Sequence, residues 1–192
     1  VAEATRVQTK RTEDPEVPRG SRHMLIFGAE EADVFGAPTP SDINNALPEA
    51  DRKMLAMRVG ERMNIMAEYG RVIGPENAGY KDGMMLSPCI QFGTYNTAWQ
   101  NEEELVAYYT QGRLPIMSRM TGCVRTRKLV SVAGWAKHGV LYEFTSLDMR
   151  NKNFIGHGDD KMKAWSARMI PRLTHAPGSA NLATRIWPPL PA

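Results

Sequence analysis

Proton transfer near neutral pH requires a side chain that changes charge there, and His157 is the strongest candidate in this chain. Asp159 and Asp160 follow closely enough to orient its ring, and an unperturbed imidazole titrates near pH 6.5. A loop histidine ahead of a helix is the plainer reading of the same residues. His23, His138 and His175 read as structural: His23 and His138 open apolar runs, and His175 falls at a helix end, where the dipole favours a cation. Glu143 is the second proton carrier. It alternates with Tyr142 and Phe144, and a carboxylate enclosed on the opposite strand face shifts towards its neutral form and can act as acid or base. The competing reading pairs it with Arg125 or Arg127. Arg113 stays charged at any working pH, so its chemistry is electrostatic: it would hold a phenolate, enolate or carboxylate and stabilise charge developing on oxygen. Against that stands a surface arginine paired with Glu102 to Glu104. Gln91 and Tyr95 share one face of an alternating segment and are candidate substrate contacts, or simple interior hydrogen-bonding groups.

These side chains must be carried by regular elements, and the C-terminal half states them clearly. The run Cys89 to Tyr95 alternates as a strand, with Ile90 and Phe92 expected on the core face and Gln91 and Tyr95 on the other. Asn101 is placed to cap a helix whose first turn holds Glu102, Glu103 and Glu104. Gly112 and Pro115 should bend or break that helix. After Thr121-Gly122, CVRTRKLVSV and HGVLYEFTS read as two strands joined by a hairpin near Gly134 to Lys137. Asp159 or Asp160 then caps a helix striped by Met162, Trp165, Met169 and Leu173, and LATRIW supplies a last strand. The order is β-α-β-β-α-β, the split βαβ, ferredoxin-like pattern.

The N-terminal half echoes the later part of that order. VAEATRVQTKR matches the first hairpin strand and RHMLIFGAE the second. Leu55, Val59, Met63 and Met66 form a helical stripe, and Tyr69 to Gly74 a closing strand. The expected fold is therefore α+β: tandem ferredoxin-like repeats, a partial one over residues 1–84 and a complete one over 85–192. The first lacks its opening strand and helix, which predicts sequence upstream of Val1. Each sheet buries one face under its helices, and the two remaining faces would close on each other around a chamber, as in a dimeric α+β barrel. Cys89 and Cys123 fall on strands that are not neighbours, so free thiols are expected.

At Tyr108-Tyr109-Thr110-Gln111-Gly112-Arg113-Leu114-Pro115 the chain resembles the aromatic-pair, histidine and proline motif of the EthD-like dimeric α+β barrel proteins, relatives of the antibiotic-biosynthesis monooxygenases. Tyr108 and Tyr109 match the aromatic pair and Pro115 the proline. Met120 to Val124 resembles that family's helix-to-strand turn, and the strand around Glu143 its apolar-tyrosine-glutamate strand. The resemblance covers roughly residues 87–188. It implies a barrel and a pocket in which Tyr109 would be a substrate contact. It does not imply one reaction, because relatives include cofactor-free monooxygenases, cyclases, isomerases and proteins with no assigned chemistry. The departure is Arg113, which stands where the motif has histidine.

Composition narrows the field. The 192 residues are 42% hydrophobic and 23% charged with a formal net charge of +3, an ordinary globular balance with no basic stripe for nucleic acid. From Arg113 to Lys137 there are six Lys or Arg and no Asp or Glu; this favours an anionic ligand or marks solvated strand faces. No apolar run reaches the length of a membrane span, no Cys/His spacing suggests a metal, and no cofactor is called for; two cysteines are too few for a disulfide scaffold and the first residues carry no apolar signal-peptide core, so a cytoplasmic location is expected. The leading expectation is a cofactor-independent enzyme acting on a small apolar or weakly anionic oxygenated compound, a phenol, polyketide or lactone, by oxygenation, cyclisation or isomerisation. In it Arg113, Gln91 and Tyr95 hold the oxygen, and His157 or Glu143 moves the proton. The alternative is a non-catalytic ligand-binding or assembly protein of the same fold. A homodimer is left open.

Overall fold

Most of the strands expected from alternation form, and they lie in a single antiparallel sheet. The computed structural model describes residues 2–5, 23–80 and 86–187. In chain order its main elements are β1 (Ala2–Thr5), β2 (His23–Met24), α1 (Pro40–Ala46), α2 (Glu49–Ala56), β3 (Asn64–Ile73), β4 (Cys89–Thr97), α3 (Glu102–Ala107), a π-helical segment (Tyr108–Arg113), α4 (Leu114–Met117), β5 (Cys123–Gly134), β6 (His138–Phe144), α5 (Leu147–Phe154), α6 (Asp160–Met169), β7 (Leu173–His175) and β8 (Asn181–Arg185). The sheet runs β2-β1-β8-β4-β6-β5-β3, with β7 also beside β4. The α+β class is thus observed. From β4 to β8 the connections follow the expected β-α-β-β-α-β order, and the middle of the sheet reads β8-β4-β6-β5.

Register fixes which side chains share a face. Cys89 lies opposite Phe144 and Tyr95 opposite His138 across β4 and β6, while Arg125 lies opposite Glu143 across β5 and β6. One face packs on helices: Cys89, Tyr95, Cys123, Val140, Tyr142, Phe144 and Leu182 join Leu105, Tyr108, Tyr109, Leu114, Met117, Phe154, Met162 and Met169 in the main core. The other face carries a smaller cluster of Ile90, Leu141 and Ala183, edged by Phe92, Leu129, Met24, Ile26 and Leu86. Burial of this much apolar surface is the main stabilising contribution, at roughly 25 cal/mol per Å².

Local signals explain the helices of the second half. The Asp159 side chain accepts from the Met162 N–H and caps α6, as expected, and Ser146 caps α5, which the sequence reading did not anticipate. Asn101 caps no helix with its side chain. The chain also does not break at Gly112 and Pro115. It passes from α3 through the π-helical segment into α4, and such a widened turn is one way for a helix to tolerate a residue without an N–H donor. Cys89 and Cys123 are free and buried, on strands separated by β6.

Four expectations are corrected. Ile90 and Phe92 face away from the helices, so Gln91 and Tyr95 point towards them. Both faces of β4 are covered, and alternation in a doubly buried strand does not say which face receives helices. The stripe Leu55, Val59, Met63, Met66 is not one helix: α2 ends at Ala56, Val59 is exposed, and Met66 lies on β3. Leu173 falls on β7, past the end of α6. Finally, Tyr69 to Gly74 does not close a separate N-terminal sheet. It falls largely within β3, which pairs with β5 at one edge of the common sheet, while β1 pairs with β2 and β8 near the other. Two facing sheets are not seen among the described residues, and the continuation of the N-terminal hairpin over residues 6–22 lies outside them.

Candidate functional site

The π-helical turn brings the aromatic-pair motif onto the sheet. The wide turn lies directly against α6: a Cβ at Gly112 would meet Met162 Sδ at 2.7 Å, so a larger residue there would have to displace the Met162 side chain. Its last residue, Arg113, lies over the Phe154 ring with Cζ 4.7 Å from the centroid, and over Tyr142 at 5.6 Å. Arg113 Nε donates to Tyr142 Oη at 3.2 Å and Nη1 to His157 Nε2 at 2.8 Å.

Because a guanidinium can only donate, His157 Nε2 accepts, and its ring proton sits on Nδ1, which donates to the Phe154 carbonyl oxygen. Burial and the adjacent Arg113 charge push the His157 imidazole down to about 4. The ring is therefore neutral at physiological pH, with both nitrogens occupied. His157 also lines an open groove of about 320 Å³ together with Ile116, Arg119, Met120, Thr121 and Asn153. Arg113 does not line that groove and meets it through His157. Arg113 and His157, both candidates from the sequence, are thus in direct contact.

The other candidates fall elsewhere. Glu143 is on the opposite face of the sheet, fully buried. Its Oε1 accepts from Arg125 Nε at 2.6 Å and Arg127 Nη2 at 3.1 Å, and its Oε2 from the Ser87 N–H at 3.0 Å and hydroxyl at 3.1 Å. The structural alternative, pairing with both arginines, is the one realised. Gln91 faces α5, where its Oε1 accepts from Arg150 Nε and Nη2. Tyr95 and Tyr109 are buried and stack with centroids 6.4 Å apart and planes 8° from parallel. Burial raises both phenols well above their ordinary value.

Beside those two rings lies a lysine that is not among the candidates read from the sequence. Lys128 is fully buried on the helix-facing side of β5, with Nζ 4.9 Å from the Tyr109 centroid, 5.1 Å from Tyr95 and 5.4 Å from Tyr69. Its hydrogen bonds go to carbonyl oxygens, Gly139 at 3.1 Å and Leu129 at 3.5 Å, and no carboxylate among the described residues pairs with it. Glu102, the nearby acid, instead binds Lys137 at 2.8 Å and His138 at 3.0 Å. Burial pushes the Lys128 ammonium down to about 7, against a smaller opposing pull from Glu102. The available signal was parity: Lys128 alternates with Thr126 and Val130, on an inward face rather than a solvated one.

Among the described residues no group of His, Cys, Asp or Glu is placed to hold a metal, and no helix is long and apolar enough to cross a membrane. Comparison with protein-family models, curated proteins and solved structures finds no match.

Proposed function

We propose that this chain binds a small, weakly anionic oxygenated molecule, a phenolate or carboxylate with an apolar body, in the groove beside His157, and does not turn it over. The observation that carries this reading is the contact between Arg113, charged and set among aromatic rings, and a neutral imidazole that opens on the groove. An incoming oxygen meets Arg119 and His157 first. Exchanging the neutral imidazole for an anion on Arg113 converts that hydrogen bond into one charged on both sides, which is shorter and stronger. Ile116 and Met120 offer apolar surface to the rest of the ligand.

A catalytic version needs a proton carrier beside the bound oxygen. His157 is a weak base with both nitrogens engaged, and Glu143 is on the far face of the sheet, held by two arginines and a serine. The likeness to EthD-like proteins fits a pocket lined by the aromatic-pair helix, with arginine in place of histidine favouring anion capture over proton transfer.

Titrating the protein with salicylate, 4-nitrophenol and benzoate, followed by calorimetry and by the His157 NMR resonances, tests this. Binding weakened roughly tenfold or more by Arg113→Gln is the expected result, the size of one charge-assisted hydrogen bond. Unchanged affinity in Arg113→Gln would overturn the assignment, and conversion of any of these compounds by the purified protein would overturn its non-catalytic half.

A further inference from the structure

Lys128 belongs to no part of the groove described above, and its surroundings are unusual for a lysine. Three tyrosine rings lie within 5.4 Å of Nζ, and among the described residues its hydrogen-bond acceptors are two backbone carbonyls and it has no counter-ion. The rings differ in their cover. Tyr95 and Tyr109 are buried, whereas Tyr69, on β3 at the edge of the sheet, is 44% exposed. Tyr69 is also the unpaired residue of a β-bulge, since Glu68 lies opposite Leu129 and Gly70 opposite Lys128, and bulged positions re-aim their side chains. It is therefore the one wall of the cage that both faces solvent and sits outside the regular ladder.

We propose that Lys128 is an imine-forming amine, and that small neutral aldehydes reach it past Tyr69 and condense with it inside the tyrosine cage. In the reaction Nζ attacks the carbonyl carbon, a C–N bond forms, and an amine proton passes to the carbonyl oxygen to give a carbinolamine. Loss of that hydroxyl as water, with the second amine proton, leaves the C=N bond. No oxidant or reductant is consumed. An unprotonated lysine amine in apolar surroundings is the nucleophile such a step needs. The cage favours a neutral electrophile because its walls are aromatic and the acid nearest to it, Glu102, is already bound to Lys137 and His138. The neutral fraction of the amine agrees with this, since burial brings Lys128 to about 7, so that roughly half of it is unprotonated at pH 7.

The test is reductive trapping of the full chain with propanal and cyanoborohydride at pH 7, with the alkylated lysines identified by peptide mass spectrometry. Lys128 is expected to react roughly tenfold faster than the exposed Lys137 and Lys161. Tyr69→Ala should speed the reaction at Lys128 several-fold and leave Lys137 unchanged, while Tyr69→Phe, which keeps the ring, should match the native rate. Labelling of Lys128 at or below the rate of the exposed lysines would overturn the proposal. An unchanged Lys128 rate in Tyr69→Ala would overturn the entry route.

Discussion

Replacing Lys128 by methionine exchanges a buried ammonium without a counter-ion for a flexible apolar side chain that packs well against aromatic rings. The magnitude follows from the shift. A lysine at about 7 in the folded protein and near 10.5 when unfolded opposes folding by about 4 kcal/mol at pH 7 and by about 2 kcal/mol at pH 9. The sign is that of a base whose folded value is depressed. Between these two values the unfolded chain holds more protons, so stability rises as pH rises through the window. Methionine removes this opposition but also removes the Nζ donor to the Gly139 carbonyl, a loss of about 1 kcal/mol. The variant should therefore be about 2 to 3 kcal/mol more stable than the native chain at pH 7, and the advantage should shrink by about 2 kcal/mol at pH 9. Urea unfolding of both proteins at pH 7, 8 and 9 measures this. A variant less stable than the native chain at pH 7, or a difference that does not change with pH, would refute the argument that Lys128 is an unpaired buried cation.

Glu143→Gln removes the carboxylate that holds Arg125 and Arg127, and since neither guanidinium reaches bulk water easily, unfolding free energy should fall by about 3 kcal/mol or more. A change below about 1 kcal/mol in a denaturant titration would contradict that pairing. Burial raises Cys89 and Cys123 to about 11, so Ellman's reagent at pH 8 should react with neither thiol until denaturant is added; prompt reaction in the native protein would count against the core placement. His157 should titrate near 4 by NMR with its proton on Nδ1. The stability linked to its neutral form is complete above about pH 6.5 and is lost as pH falls from there towards 4; a titration at or above 6.5 would remove the Arg113 contact from consideration.

The sequence was most legible where a pattern has one solution. An aspartate cap at 159 or 160, the hairpin of β5 and β6, and the free thiols followed from residue type and spacing, because a helix start needs an acceptor and non-neighbouring strands do not place two sulfurs together. It was least legible where alternation meets a sheet covered on both sides. Ile90 and Gln91 are both buried or nearly so, and period-2 spacing assigns them to opposite faces without saying which face meets helices. That single ambiguity misdirected Gln91 and Tyr95. The same limit hid Lys128: in a run of basic residues it looks solvated, and its cover comes from the bulged Tyr69 and the rings of Tyr95 and Tyr109, contributed from distant parts of the chain. Met66 shows a different failure. A spacing of i, i+4, i+8, i+11 suits a helix, but it also fits the last turn of α2, a connecting loop and the start of β3, and α2 ends at Ala56, before Val59 and Met63. The charged residues that pair across strands, Arg125 and Arg127 with Glu143, were foreseeable as alternatives because β5 and β6 are joined by a short hairpin. The pairing of Arg113 with His157 was not, because it depends on a π-helical turn and on α5 delivering Phe154 beside it.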